Sequence, residues 1–340
     1  MGRVDAAQPM LDTLGRPLRD LRLSVTDRCN FRCRYCMPRE TIDEALDFLP
    51  RSFILTYEEM ARLVHIFSHL GVQKVRITGG EPLLRRDLTH LIQMLKESGV
   101  ELALTTNGSL LADGAEALAA AGLDRVTVSL DSIDAVEFKQ ICDTEIKLEA
   151  VLEGIEAAIR AGLTPLKVNA VVKKGMNDES IFQLLDHFRN TEVIVRCIEY
   201  MDVGTLNNWN MAEVIPASAL IAGLNSRFPV EPVQANYQGE VANRWSYHDG
   251  GGEVGMIASV TEPFCGDCSR GRISADGIFY TCLFATSGFD LKTPLRAGAS
   301  DEQLTELIRS VWEGREDRYS ELRAEIGPET QRIQMSYIGG

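Results

Sequence analysis

No apolar run in the 340-residue chain approaches the ~18 residues that mark a membrane-crossing helix, so none is expected. The first residues, MGRVDAAQPMLDTLGRPLRDLRL, lack an apolar core followed by a cleavage site and do not read as a secretion signal. Positive charge is also scarce. Against 49 Asp and Glu stand 35 Lys and Arg, a formal net charge of −14 that opposes nonspecific binding to nucleic acid or to an anionic membrane surface. That balance still permits one small anionic ligand in a local basic pocket. Histidine is limited to five residues, which restricts zinc sites that need an imidazole. No GxGxxG follows the first strand-like run, which argues against a dinucleotide-binding Rossmann domain. The eight cysteines form two triplets with Cys142 and Cys197 left over, a distribution unlike a disulfide framework. They suit a reducing, cytoplasmic setting, with the two outliers serving as small buried hydrophobes.

What the chain does have is Cys29, Cys33 and Cys36 in the string CNFRCRYCMP. This spacing puts three thiolates on one short loop. A [4Fe–4S] cube normally takes four protein thiolates, so three leave one iron open to a reaction partner. A zinc knuckle would need a fourth Cys or His at similar range, and none is nearby. Three buried free thiols are the remaining alternative. The C-x3-C-x2-C loop, with Tyr35 just before its last cysteine, resembles the signature of the radical S-adenosylmethionine enzymes. That resemblance implies that the open iron chelates S-adenosylmethionine, whose one-electron reduction releases a 5′-deoxyadenosyl radical.

From residue 21 to 201, short β-branched runs alternate with amphipathic helical segments. Strands are expected at 21–25, 74–78, 101–105, 125–129, 166–172 and 193–201. Helices such as YEEMARLVHIFSHLG, LTHLIQMLKESG, KLEAVLEGIEAAIRAG and IFQLLDHFRN lie between them, several closing on glycine. Alternation of this kind implies parallel strands joined by right-handed crossovers. Six units favour a partial (βα)6 TIM-like barrel in the α/β class. Functional groups gather at the C-terminal ends of such strands, where the cysteine loop, TGGEP, TTNG and SLDS all fall. The expected division is 1–215 for the barrel and 216–340 for a smaller α+β domain covering its open side. In the latter, GEVGMIASV and RGRISADGIFYTC read as antiparallel strands, with a turn at Ala275-Asp276-Gly277.

A second triplet, Cys265, Cys268 and Cys282, has C-x2-C-x13-C spacing, and the hairpin would return Cys282 beside the other two. A structural zinc site would lack one ligand. The auxiliary clusters of peptide-modifying radical enzymes use a longer series of seven cysteines. A second [4Fe–4S] cluster with an open iron is the expectation. A two-cluster electron carrier would need neither TGGEP nor a large barrel.

The two triplets, TGGEP, the basic CSRGR string and the terminal Gly339-Gly340 together resemble the GTP 3′,8-cyclases of molybdenum cofactor biosynthesis, over nearly the whole chain from Arg22 to Gly340. The resemblance implies two [4Fe–4S] clusters and S-adenosylmethionine as cofactors, with Tyr35, Gly80, Ser129 and Met201 contacting the latter. It implies GTP as substrate, held by Arg22, Arg76, Thr105, Lys167, Arg270 and Arg272, and conversion to 3′,8-cyclo-7,8-dihydro-GTP. Charged residues inside β-branched strands agree with this, because an unpartnered buried charge is costly. An external one-electron reductant and a downstream cyclic pyranopterin monophosphate synthase are the implied partners, and a homodimer is allowed. The Gly339-Gly340 tail would insert between the clusters. One departure is visible: the family commonly has Asn and a large apolar residue where this chain has Ser269 and Gly271.

Overall fold

The computed structural model describes residues 10–42, 48–325 and 332–339. Six parallel strands stand side by side in chain order: β1 (Asp20–Ser24), β2 (Lys74–Thr78), β3 (Glu101–Thr106), β4 (Arg125–Ser129), β5 (Lys167–Val172) and β6 (Ile194–Glu199). Each lies within two residues of its expected ends. The crossovers carry α1 (Tyr57–His69), α2 (Leu88–Lys96), α3 (Leu111–Ala120), α4 (Ala135–Cys142), α5 (Leu148–Arg160) and α6 (Ile181–Phe188).

Local chemistry starts and orients these helices. At α1 the Thr56 hydroxyl accepts from the Glu59 N–H (3.2 Å) while Glu59 accepts from the Thr56 N–H (2.7 Å), so two otherwise orphaned donors are satisfied. Met60, Leu63, Val64 and Phe67 then form one fully buried stripe. On the sheet, Leu21, Leu23, Val75, Ile77, Val126, Val128, Val168 and Ala170 are buried. Their strand neighbours Arg22, Arg76, Thr127, Lys167 and Asn169 point the opposite way, because successive strand side chains alternate. The helices therefore cover an apolar exterior, and the polar set is left to line the inside. Cys142 and Cys197 both lie in the apolar core.

The later strands are β7 (Val230–Val233), β8 (Asn243–Tyr247), β9 (Glu253–Ile257), β10 (Arg270–Ile273), β11 (Ile278–Tyr280) and β12 (Phe289–Asp290). They do not form a sheet of their own. The order is β12-β11-β10-β1-β2-β3-β4-β5-β6-β9-β8-β7, so one open sheet carries both edges. The expected hairpin is present at β10–β11, with its turn at 275–277, and β9 pairs antiparallel with β8, a strand the sequence pattern did not mark. On its other side, however, β10 pairs parallel with β1, and β9 pairs parallel with β6. Alternation within a strand reports which face is buried, not which neighbour supplies the hydrogen bonds.

Candidate active site

The parallel pairing of β10 with β1 puts the two cysteine triplets at opposite mouths of the barrel. Asp20 and Arg22 of β1 stand beside Arg270 and Arg272 of β10. Cys265 and Cys268 precede β10, at the mouth where the parallel strands begin. Because β11 runs back antiparallel, with Tyr280 beside Arg272, Cys282 returns to the same mouth. Cys29, Cys33 and Cys36 follow the C-terminal end of β1 and occupy the other. The strand between them, Asp20 to Ser24, is itself about 13 Å long at ~3.3 Å per residue. All six cysteines line one cavity.

At the first mouth, Asn107 and the Gly79-Gly80 turn border the cysteine loop. The loop is fastened to α4: the Arg32 and Arg34 N–H groups donate to the Cys142 and Ile141 carbonyls (2.9 and 3.1 Å). The Phe31 N–H donates to Cys29 Sγ (3.4 Å). The Tyr35 hydroxyl donates to Asp131 (2.7 Å), and the other Asp131 oxygen accepts the Val171 N–H (2.8 Å). Gly79, with φ of 153°, leaves no room for a Cβ against the Thr26 backbone, so this turn needs glycine. Glu81 of the same motif faces away from the cavity. Its carboxylate accepts from Thr106 Oγ1 and the Asn107 N–H, both at 2.7 Å, and so ties the β2 turn to the β3 turn.

Burial pushes the Cys29 thiol up to about 12 and the Cys36 thiol well above its ordinary range, the latter further raised by Cys33 and Cys29. Such thiols ionise only against a strong positive partner, which cluster iron supplies. Among the described residues, no three His, Cys, Asp or Glu side chains gather tightly enough for a single metal ion. A cube spaces its thiolates more widely than one ion does, since four irons and four sulfides stand between them. Three cysteine thiols at one mouth are the donor set that a cluster with one open iron would take.

At the second mouth Arg270 Nη2 donates to Cys268 Sγ (3.2 Å), with its guanidinium over the Phe264 ring. Burial alone would raise the Cys268 thiol, but Arg270 and Arg315 outweigh it and bring the thiol down to about 6. Burial, and then Asp317, push the Cys282 thiol up to about 12 against the weaker opposing pull of the Phe284 N–H and Arg315.

Between the mouths lie rows of cations. Arg272, Arg22 and Arg76 are lateral neighbours on β10, β1 and β2. Arg76 Nη1 donates to Thr105 Oγ1 (3.2 Å) and Thr127 Oγ1 (3.1 Å), while Lys167 stands beside Thr127 on β5. Nine cationic and four acidic side chains line the cavity, a surplus inside a chain whose net charge is −14. The charges strain against one another. Burial and then Arg272, Arg76 and Arg270 lower Arg22 well below its usual range. Burial, Arg196, Arg125 and Arg76 bring Lys167 down to about 7, and burial and Arg270 bring Arg272 down to about 10. A polyanion placed here would relieve all of them.

Two family models cover the chain: "Radical SAM superfamily" over residues 23–188 and "Molybdenum Cofactor Synthesis C" over residues 193–321. A protein of Acidothermus cellulolyticus described as "GTP 3′,8-cyclase" is 50% identical over 360 residues, covering 98% of this chain and 99% of that protein. The chain belongs to the GTP 3′,8-cyclase family. A Staphylococcus aureus member is 46% identical over 335 residues, covering 97% of this chain and 98% of its own length. The crystal structure of Streptococcus suis SuiB bound to precursor peptide SuiA superimposes with a TM-score of 0.60 at 16% identity, covering 94% of this chain and 76% of that one. That likeness concerns the fold, an α/β radical SAM partial barrel with a C-terminal antiparallel region.

Against this family pattern, Gly271 is explained by its neighbours. A Cβ there would meet Phe279 Cε2 at 2.8 Å and Leu18 Cδ1 at 3.1 Å, so these side chains occupy the space a larger residue would fill. Tyr35, Gly80, Ser129, Met201, Arg22, Arg76, Thr105, Lys167, Arg270 and Arg272 all line the cavity with the six cysteines. Gly339 lies beside Thr78 and accepts from Arg272 Nη1, whereas Gly340 is outside the described residues. Sequence reasoning missed Lys74, Arg125, Arg196, Asn107, Asn169 and Asp131, which also line it. Period-two spacing could have found several. Lys74 is two residues before Arg76, Arg125 two before Thr127, and Asn169 two after Lys167.

Proposed function

We propose that this chain joins ribose C3′ of GTP to C8 of its guanine, giving 3′,8-cyclo-7,8-dihydro-GTP for molybdenum cofactor biosynthesis. The observation that carries this reading is the surplus of buried cations between two three-cysteine mouths. A triphosphate supplies the charge those cations need, and the distance between the mouths leaves the nucleoside within reach of both.

Cys29, Cys33 and Cys36 would hold a [4Fe–4S] cluster with an open iron, and Cys265, Cys268 and Cys282 a second one. Bound there, the first cluster and S-adenosylmethionine supply one-electron reduction and hydrogen abstraction, and the second supplies an open iron for the guanine. Tyr35, Gly80, Ser129 and Met201 border the first mouth and would position S-adenosylmethionine, with the Gly79-Gly80 turn allowing close backbone approach. Arg22, Arg76, Thr105, Lys167, Arg270 and Arg272 would hold GTP by charge-assisted hydrogen bonds to its phosphates. Residues 1–215 thus carry the first centre, and residues 216–340 carry the second centre and the Gly339-Gly340 tail. Enclosure within the barrel excludes water and holds the reacting carbons in one orientation.

An external one-electron reductant and a downstream cyclic pyranopterin monophosphate synthase complete the scheme, in the cytoplasm. Neither a nucleic acid nor a membrane is part of it; among the described residues no helix is long and apolar enough to cross a bilayer. A homodimer is compatible with it.

The test is anaerobic reconstitution followed by incubation with S-adenosylmethionine, dithionite and either GTP, ATP or a mixed peptide pool. Faster 5′-deoxyadenosine release with GTP alone supports the proposal. Stimulation by peptides and not by GTP would transfer the site to peptide modification.

A further inference from the structure

Behind the second mouth lies a buried ion network that the proposed substrate contacts leave unexplained. Arg16 and Arg315 are 2% and 4% exposed, and Asp12 is 6% exposed. Arg16 Nε donates to Asp12 Oδ2 (2.6 Å), and Arg315 Nη1 donates to the same oxygen (3.3 Å). Trp312 braces the pair: its indole N–H donates to the Arg16 carbonyl (3.1 Å), and the Arg315 guanidinium lies 4.6 Å from its ring centroid. Apolar replacements of buried ion groups are often as stable, so stability alone is a poor reason for such a network.

Its remaining bonds supply a better reason. Arg16 Nη1 donates to the Cys265 carbonyl (2.9 Å) and the Asp317 carbonyl (2.7 Å). Arg315 Nη1 donates to the Cys268 carbonyl (2.8 Å). Asp317 Oδ2 accepts from Arg315 Nε (3.4 Å) and from Thr281 Oγ1 (2.6 Å), the residue before Cys282. Cys265 and Cys268 are therefore held by their own carbonyls, and Cys282 through the side chain of its neighbour Thr281. The segments at 12–16, 265–282 and 315–317 meet at this network.

We infer that Asp12, Arg16 and Arg315 are positioning residues for the second iron–sulfur centre, fixing its three thiolates and placing two cations behind it. The inference rests on the proposed second cluster. A cluster gains negative charge on reduction, so nearby guanidiniums favour its reduced form, and removing one lowers its midpoint potential.

The test uses the full chain, reconstituted anaerobically, in parent, Arg315→Met, Arg16→Met, Arg315→Lys and Cys265→Ala forms. Iron and sulfide per chain, the electron paramagnetic resonance of each reduced centre, and the midpoint of the second centre are measured. The Met variants are expected to keep the first-centre signal. Their second centre should either lose at least half its occupancy or shift its reduction equilibrium at least tenfold, about 59 mV lower for one electron. Arg315→Lys keeps the charge but cannot make every bond, so it should lose second-centre iron selectively with a smaller shift in midpoint. Equal retention of both centres with an unchanged midpoint would overturn the inference, as would equal loss of both centres in the Met and Lys variants alike. Failure of the underlying reading looks different: the parent would hold only one centre, and Cys265→Ala would lose no iron.

Discussion

Arg272 donates through Nη1 to the carbonyl of Gly339, which draws Gly339 into the barrel beside Thr78 and Gly79. The approach is held from several sides. Arg332 Nη1 donates to Asp202 Oδ2 (2.9 Å), the Tyr337 hydroxyl donates to Asp276 (2.6 Å), and Ile338 is fully buried. These contacts offset the entropy of ordering a glycine terminus.

The tail is therefore expected to act in turnover and not in folding. Deleting Gly339 and Gly340 should leave iron content and the melting midpoint nearly unchanged while product formation falls roughly tenfold or more, ~1.4 kcal/mol or more in barrier height. Gly339→Ala should act in the same direction. Gly339 has φ of 76°, where an L side chain costs roughly 1–2 kcal/mol, and its Cβ would collide with Thr78 Cγ2. Product formation at the parental rate by the truncated chain would make the tail only a terminus.

Two separate three-thiolate mouths imply separable functions. Fully reconstituted protein should hold ~8 irons, one cube per triplet. Cys265→Ala and Cys268→Ala should still cleave S-adenosylmethionine reductively, yet fail to cyclise GTP. Stoichiometric zinc, or full cyclase activity in either variant, would make the second site structural.

Arg270 and Arg272 belong to the cation surplus between the mouths, so their loss should be felt by the anionic substrate. Arg270→Ala or Arg272→Ala should weaken GTP binding by about 1.5–3 kcal/mol, the worth of a charge-assisted hydrogen bond. S-adenosylmethionine binding should change less. Arg270 also bonds Cys268 Sγ, so binding is best measured by calorimetry alongside iron content. Unchanged GTP affinity in both variants would remove these arginines from the substrate site.

Much of this arrangement was legible beforehand because it is local. The β-branched runs marked β1 to β6, and TGGEP, TTNG and SLDS marked the strand ends where ligands gather. Pairing across the sheet was not legible. Nothing within Arg270–Ile273 states that its neighbour is β1, and that pairing is what places the second triplet at the opposite mouth. Arg16 and Arg315 were hidden for the same reason, since they meet Cys265 and Cys268 only after segments some 250 and 47 residues apart have folded together. Asp131 was overlooked because its role depends on Tyr35 reaching it from another loop.

Lys167 should make GTP binding pH-dependent. Burial, Arg196, Arg125 and Arg76 hold it at about 7, so above that pH the free site is largely neutral there. A bound triphosphate favours the ammonium form, and binding then takes up a proton. Affinity should fall as pH rises from 7.5 to 9 in this experiment, by up to about tenfold per unit for one proton taken up. Lys167→Arg, whose guanidinium keeps its charge more readily, should flatten the slope. Calorimetry in buffers of different ionisation enthalpy reads the proton directly. An affinity independent of pH in the parent would remove Lys167 from the phosphate contacts.

The most direct test of the proposed cyclisation is the identity of what is made from GTP. The reconstituted chain, given S-adenosylmethionine, a one-electron reductant and GTP under anaerobic conditions, should yield a nucleotide in which nuclear magnetic resonance finds ribose C3′ bonded to C8 of a dihydroguanine, with the triphosphate intact. S-adenosylmethionine cleavage accompanied by unchanged GTP, or a product lacking the C3′–C8 bond, would contradict it.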